Sequence, residues 1–454
     1  MFSRWGIFNG LERENLSDIM FLEKEIEDFM VSQRRMDMLN GHRYYIGEHD
    51  ILRRERLARD KNGGQQSVKG LPNNRIVDNQ YARMVDQKNN YLLSKPVNFS
   101  GDKACVDLVR RILPRDFNSK LRELGEDCLN CGIAWAYIYI DEKGALSVKR
   151  LNPFEVLPFW ADEAHTRLDM AVRVFTVKSY VGQKQVTEDK VEVYKKDGID
   201  KYTLKGRHLI FEKKESYITD QSGEGYGWGD IPLIAFKQNS KEIPLINRVK
   251  SLQDALNEVK SDFINSMQEN VHNTVLVIKN YDGQDLGEFR QNLAAYGAVK
   301  VRSVDGSGGD VTPLKIEVGA DTFISAADML KKAIIENAKG YDASDDRLKN
   351  NPNQMNISSI YSDIDLDACG MENAWKASFN RLFYFVDKLI NALGLGEGVT
   401  NRIEASFNKD RLINESEIID CCVKSEDIIS RETIVTMHPW VNNPTDEIAR
   451  LDRG

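Results

Sequence analysis

The 454-residue sequence predicts an α+β protein, predominantly helical, with a β-rich middle bracketed by helices. Three observations predict this. Leu245, Val249, Leu252, Leu256, Val259, Phe263 and Met267 step by four, three, four, three, four and four, the spacing of one helix face. Residues 133–140 (IAWAYIYI) form an apolar, aromatic run closed by the turn sequence DEKG, as a buried strand does. From about 357 to 393 a helical pattern runs on to Gly394, ~55 Å of helix if unbroken, although Gly370 inside it weakens continuity.

The other elements follow in order. Residues 17–47 read as a helix, with Ile19, Phe21, Leu22, Ile26, Phe29 and Met30 at near-helical spacing after the possible N-cap Ser17. A polar loop around residues 60–65 leads to a second helix, 73–94, stopped by Lys95-Pro96, and a third covers 116–130. Short strands are expected at 145–151, 169–178, 189–195, 201–204 and 207–212, with a Gly-rich loop at 223–229. The 245–271 helix, ~40 Å long, precedes a compact insert: strand 274–279, helix 285–296, strand 298–303, a GSGGD turn at 306–310 and strand 311–318. A helix from Asp321 carries Phe323, Ala327, Leu330 and Ile334 on one face, so two helices flank a small α/β insert like a stalk with a tip. Residues 340–356 (GYDASDDRLKNNPNQMN) are polar, contain Pro352 and read as an exposed loop; on composition alone a solvated connector is expected there. A strand at 402–407 and helices near 413–428, 431–437 and 444–453 finish the chain.

Composition narrows the class. Hydrophobic residues make up 41% and charged residues 29%, ordinary values for a soluble chain with a core, and no apolar run is long enough to span a bilayer. No secretory leader, tail anchor or sorting signal is expected, and no membrane partner. Six cysteines without a framework spacing fit a reducing compartment, a cytoplasm. The net charge of -8 excludes a broadly basic nucleic-acid grip, so any DNA contact is loose and local. No catalytic signature is present: no phosphate-binding GxxxxGK[ST], no HExxH, no GxSxG. Cys128 and Cys131 form a single CxxC without partners for zinc and read as core residues. Asp363, Asp365 and Asp367 fail as a calcium loop, because Ala368 and Ala374 stand where Gly and Glu are needed; they read as carboxylates favoured by the helix dipole. The six histidines are scattered and receive no role. No cofactor, metal or catalytic residue is expected. A carboxylate–metal DNA-processing enzyme using Asp363 and Asp365 stays as a distant alternative.

Four stretches in order carry a resemblance. They are Asn74-Arg75-Ile76-Val77-Asp78 with Tyr91-Leu92-Leu93-Ser94-Lys95-Pro96-Val97 downstream; residues 132–158 with the turn DEKG and Asn152-Pro153-Phe154-Glu155-Val156; Gly229-Asp230-Ile231-Pro232-Leu233-Ile234 leading to a helix with Asp254, Ala255 and Ser261; and Ser430-Arg431-Glu432-Thr433 with Asn443, Pro444 and Glu447. Together they resemble the portal proteins of tailed bacteriophages, of the type found in siphophages of Gram-positive hosts. Ser94 stands where that family usually has Gly, and Asn443 where it often has Asp; residues 1–70 carry little of the likeness.

The resemblance implies a portal fold. Residues 1–244 with the long helix 357–400 would be a wing, helices 245–271 and 321–339 a stem, 272–320 a clip, 340–356 a tunnel loop and 401–454 a crown. It implies a homo-oligomeric ring, usually a dodecamer, in the virion at the capsid vertex, assembled in the host cytoplasm. Double-stranded DNA would pass through it, with the terminase large subunit, a head–tail adaptor, and major capsid and scaffolding proteins as partners. The DNA-facing candidates in the tunnel loop are Arg347, Lys349, Asn350, Asn351, Asn353 and Gln354. Another head–tail connector or capsid-associated protein is the neighbouring alternative; it would lack the helix–insert–helix.

Overall fold

The computed structural model describes residues 18–59, 65–67, 72–182, 184–219, 224–272, 275–279, 310–314, 319–345, 353–410, 412–441 and 444–452. The chain divides into two compact units, one of Met1–Gly47, Asn79–Lys250 and Ile334–Gly454, the other of Glu48–Asp78 and Ser251–Ala333. The architecture is mixed α+β and mainly helical, as the sequence predicts.

In chain order the elements begin with α1 (Asp18–Met30) and α2 (Gln33–Tyr45), where one helix was expected. The break falls at Ser32, which leaves helical geometry (φ -67, ψ 143), accepts from the Arg35 amide and donates its hydroxyl to the Phe29 carbonyl at 2.8 Å. A short pair, β1 (Leu57–Arg59) and β2 (Gln65–Ser67), precedes α3 (Gln80–Leu93). The latter starts seven residues later than the expected 73, because Asn79 caps it through the Ala82 amide. Then come β3 (Asn98–Gly101), α4 (Lys103–Ile112), α5 (Phe117–Cys131), β4 (Ile133–Ile140) and β5 (Leu146–Leu151). The DEKG turn closes on Asp141, whose side chain accepts from the Lys143 and Ala145 amides while Gly144 takes φ 77.

A run of strands follows: β6 (Val156–Trp160), then β7 (Leu168–Val181), β8 (Lys184–Lys195), β9 (Gly198–Lys205) and β10 (His208–Glu215), which answer the strands expected from 169 to 212, then the small pair β11 (Ile218–Thr219) and β12 (Gly225–Tyr226), and β13 (Leu233–Lys237). Neither β6 nor β13 was foreseen. Pro158 argues against a central strand, and β6 is indeed an edge, in the antiparallel order β10-β9-β8-β7-β6. A second sheet has the order β13-β4-β5. The chain continues with α6 (Ile246–His272), β14 (Val275–Lys279), β15 (Asp310–Leu314), α7 (Ala320–Asn337), α8 (Gln354–Ala392), β16 (Ile403–Ser406, paired with β3), α9 (Glu415–Lys424), α10 (Arg431–Met437) and α11 (Pro444–Leu451). The expected helix 285–296 and strand 298–303 lie outside the described residues.

In the first unit α8 supplies the centre of the core. It is one continuous helix of 39 residues, ended by Gly394 at φ 69. Trp375, Phe379 and Phe385 are at most 1% exposed, and Phe236 meets Trp375 with ring centroids 4.7 Å apart. Cys128 and Cys131 are buried in the same core, the Cys128 thiol donating to the Phe236 carbonyl at 3.4 Å, as the core reading expects. Leu22, Ile26 and Phe29 of α1 cover the five-stranded sheet at Phe159, Met170, Val172 and Val193.

The second unit holds a pattern that periodicity concealed. Gln253, Asn257, Ser261 and Asn265 lie four apart on α6 and are at most 1% exposed. They face an extended segment: the amides of Asn74, Ile76 and Asp78 donate to Asn265, Ser261 and Asn257 at 2.8, 2.9 and 3.0 Å, and Gln253 donates to the Asp78 carbonyl at 2.8 Å. These side chains take the place of a neighbouring strand and satisfy backbone groups that burial would otherwise leave orphaned. The expected helix over 73–79 does not form, because its amides are spent here. On the opposite side Phe263 meets Phe323 of α7 at 5.1 Å.

Two glycines give opposite expectations. A Cβ on Gly41 would stand 1.8 Å from the Asn130 carbonyl oxygen, so Gly41→Ala should lower the thermal midpoint sharply through a backbone clash. A Cβ on Gly370 meets nothing within 4 Å, so Gly370→Ala in α8 should stabilise by about 0.5–1 kcal/mol in thermal unfolding.

Candidate nucleic-acid interface

The loop 340–356 is described at its two roots. Arg347, Lys349, Asn350 and Asn351 lie outside the described residues; Asn353 and Gln354 do not. Asn353 caps α8, its side chain accepting from the Asn356 amide at 2.8 Å. Gln354 is tied to the start of α9: its amide donates to Glu417 at 2.7 Å, and its side-chain oxygen accepts from the Asn414 amide at 3.0 Å. Both residues, expected to face a channel, have structural work at the loop's second root.

The first root is held more tightly. Lys339 adopts a left-handed conformation (φ 53) after the last turn of α7, and Gly340 follows where a Cβ would meet the Met84 sulfur at 2.6 Å and the Gln87 amide oxygen at 2.7 Å. Gln87 of α3 clamps Tyr341 from both sides, accepting from its amide at 2.9 Å and donating to its carbonyl at 2.8 Å. The Tyr341 ring packs on Tyr361 at 4.3 Å, and Tyr361 stacks on Tyr91 at 5.9 Å.

Beneath them Asp367 of α8 gathers three cations from three elements. Lys88 of α3 lies at 2.8 Å, Arg248 in the first turn of α6 at 3.5 Å, and Lys339 at 3.5 Å. Lys88 also donates to the Lys339 carbonyl at 3.2 Å. Its side chain is 5% exposed and that of Asp367 is 17% exposed. Burial pulls the Lys88 ammonium below its ordinary range, opposed chiefly by Asp367. Burial resists ionisation of Asp367 too, but Lys88, then Arg248 and Lys339, hold its carboxyl below the usual range. Asp365 accepts from Lys409 at 2.9 Å and Tyr91 at 3.0 Å, while Asp363 is exposed. The dipole reading of this triplet is corrected: α8 starts at Gln354, so the carboxylates sit beyond the first turn, where the dipole fades, and ion pairing accounts for Asp365 and Asp367. Among the described residues no group of three or more His, Cys, Asp or Glu could hold a metal ion, and no helix is long and apolar enough to cross a membrane.

A second charged centre was not foreseen. Glu242, with a side chain 3% exposed, receives Arg34, His165 and Lys237, the last at 3.2 Å. His165 stacks on Trp160 with ring centroids 4.8 Å apart. Burial opposes the Glu242 charge, yet His165, Arg34 and Lys237 bring its pKa from 4.5 to about 2. Its partners are 208, 77 and 5 residues away in sequence, so no local spacing signals it.

The family described as "Phage portal protein, SPP1 Gp6-like" matches residues 31–453. The chain belongs to this family of phage portal proteins. The match reaches well before residue 73, into a region where little resemblance was read. A portal protein of Bacillus phage SPP1 is 27% identical over 426 residues, 91% of this chain and 83% of that protein. A portal protein of Clostridium phage phiCD119 is 26% identical over 429 residues, 90% of each. Among solved structures the chain is similar to the neck of a native GTA particle computed with C12 symmetry (TM-score 0.39, 12% identity, 79% of this chain and 88% of that one) and to the neck of an empty GTA particle computed with C6 symmetry (TM-score 0.43, 12% identity, 87% and 92%). As a portal protein it belongs to the virion, at the capsid vertex.

Two substitutions test the charged centres. Asp367→Asn keeps the shape but strands buried Lys88, and should cost about 3–5 kcal/mol in denaturant unfolding. Because the Glu242 pKa is depressed on folding, its contribution is fully present above pH 4.5 and is lost as pH falls toward 2. Glu242→Gln should therefore lower the urea midpoint at pH 7, and the gap to the parent should narrow below pH 4.5 and close only below pH 2; a gap independent of pH would contradict the assignment.

Proposed function

We propose that copies of this chain close head to tail into a ring through which double-stranded DNA enters and leaves the head. The observation that carries this reading is the family match over residues 31–453. A heterologous contact repeated around an axis closes a ring, with twelve copies expected in the virion. In this reading the chain has no catalytic residue. The terminase large subunit supplies ATP hydrolysis and docks at residues 272–320, where a head–tail adaptor takes its place later. Major capsid and scaffolding proteins surround the ring, which assembles in the host cytoplasm. Residues 1–244 with 357–400 form the wing, 245–271 and 321–339 the stem, and 401–454 the crown.

The loop 340–356 is the tunnel loop, with Arg347, Lys349, Asn350, Asn351, Asn353 and Gln354 as the DNA-side candidates. DNA has to slide, so its contacts must be weak. A chain of net charge -8 repels phosphate in general, and a few cations on a loop touch it transiently. Anchored roots support this reading: the clamp on Tyr341 and the ties of Asn353 and Gln354 fix where the intervening residues begin and end. The two described candidates contribute by setting that position, which leaves Arg347 and Lys349 as the residues for phosphate contact.

Twelve chains of 51.8 kDa total about 620 kDa, and sedimentation with negative-stain microscopy should find a holed ring near that mass. A chain that stays monomeric at every concentration, with or without scaffold, would overturn the ring. Replacing residues 345–352 with Gly and Ser should leave ring assembly intact and impair DNA packaging or retention. Heads that fill and hold DNA normally would overturn the loop's role.

A further inference from the structure

Cys369 and Lys409 stand apart from the other cysteine environments. Cys128 and Cys131 are buried, and burial pushes both thiols up. Cys105 is pushed up by burial and by its neighbour Asp102. Cys422 is buried and Cys421 exposed. Cys369 is half-buried on α8, and the Lys409 ammonium donates to its sulfur at 2.8 Å. The lysine is aimed by its surroundings. Asp365, one turn before Cys369, accepts from the same ammonium at 2.9 Å, and the next residue, Asp410, donates its amide to the Tyr91 carbonyl at 2.8 Å. Thiols that oxidise selectively are partly exposed and carry a cation at contact distance. This pair has both properties, and a nitrogen already sits against the sulfur.

We infer that Cys369 and Lys409 are a redox-responsive pair that peroxide converts into a covalent sulfur–nitrogen link between α8 and the segment that follows β16. The chemistry balances with peroxide as the named oxidant. In the first step the Cys369 sulfur attacks one peroxide oxygen: an S–O bond forms, the O–O bond breaks, and the departing hydroxide takes a proton and leaves as water. Sulfur is oxidised to sulfenic acid and peroxide is reduced. In the second step Lys409, having given one proton to solvent, attacks sulfur: an N–S bond forms, the S–O bond breaks, and hydroxide leaves as water with a proton from the amine. No further oxidant is consumed, and the product is a sulfenamide, which a thiol reductant reopens. On the reading that the chain is made in a reducing cytoplasm and ends in a released particle, the link forms only after release and staples the long helix of a ring that must then hold its DNA.

The test uses the purified full chain carrying Cys421→Ser, so that exposed thiol cannot pair copies. After treatment with hydrogen peroxide and proteolysis, mass spectrometry should find the peptides containing residues 369 and 409 joined, about 2 Da lighter than their sum. Dithiothreitol should restore both, and Cys369→Ser and Lys409→Arg should each abolish the joined species. In Lys409→Arg, which keeps the cation, Cys369 should proceed to sulfinic acid. The inference is overturned if Cys369 in the parent accumulates as sulfinic or sulfonic acid beside unmodified Lys409, if the link carries an extra oxygen atom, or if Cys369 stays reduced while Cys422 or Cys105 oxidises. These outcomes do not depend on ring formation, so they are separable from the portal reading.

Discussion

The first unit depends on one carboxylate. Asp367 stands inside the longest described helix and answers cations from α3, from the first turn of α6 and from Lys339, two residues past the end of α7. Three positive groups converge there, and without the central charge the buried Lys88 would be left uncompensated. The same charge fixes the rotation of α8 about its own axis, because Trp375 and Phe379 enter the core only if Asp367 faces Lys88. Once that rotation is set, Tyr361 falls under Tyr341 and the loop root follows. One electrostatic constraint thus orients hydrophobic packing, and packing positions the loop.

The portal assignment and this geometry agree in a physical sense. A subunit that forms one sector of a ring needs a stiff frame. The frame is visible in α8, an uninterrupted helix with aromatic side chains along its buried face. Stiffness comes from dense apolar contact, which resists deformation because displaced side chains lose dispersion energy quickly. Gln87, which donates to and accepts from Tyr341, and Asn353 and Glu417, which accept from the Asn356 and Gln354 amides, fasten the described ends of the loop to that frame.

How much of this the sequence carried depended on range. Local signals read well: β4 was bounded to the residue by its apolar run and the DEKG turn, α6 by the four-three step of its apolar face, and α8 by sustained periodicity despite Gly370. Breaks made by one side chain read poorly. Ser32 divides α1 from α2 through a cap that composition cannot separate from a tolerated serine. At the loop roots the sequence showed polar residues but not their contacts. Asn353 and Gln354 looked like polar loop residues and prove to be fasteners, because their partners, Asn356, Asn414 and Glu417, are identified only by folding. Asp367 looked like a helix-start acid; its cations come from positions 88, 248 and 339, and no single sequence displays that convergence.

The polar stripe of α6 has a metric consequence. Four residues of helix advance about 6 Å, and two residues of extended chain advance about 6.6 Å. The two repeats nearly coincide, so a helix can serve as a ruler for a strand over a few marks before the mismatch grows to a sizeable fraction of a hydrogen bond. Three marks are used here, at Asn257, Ser261 and Asn265. A one-residue insertion between 74 and 78 would turn carbonyls toward acceptors and ruin the reading, whereas a two-residue insertion would move the chain by one division and could be read again. Length variation in this segment among relatives should therefore come in even steps.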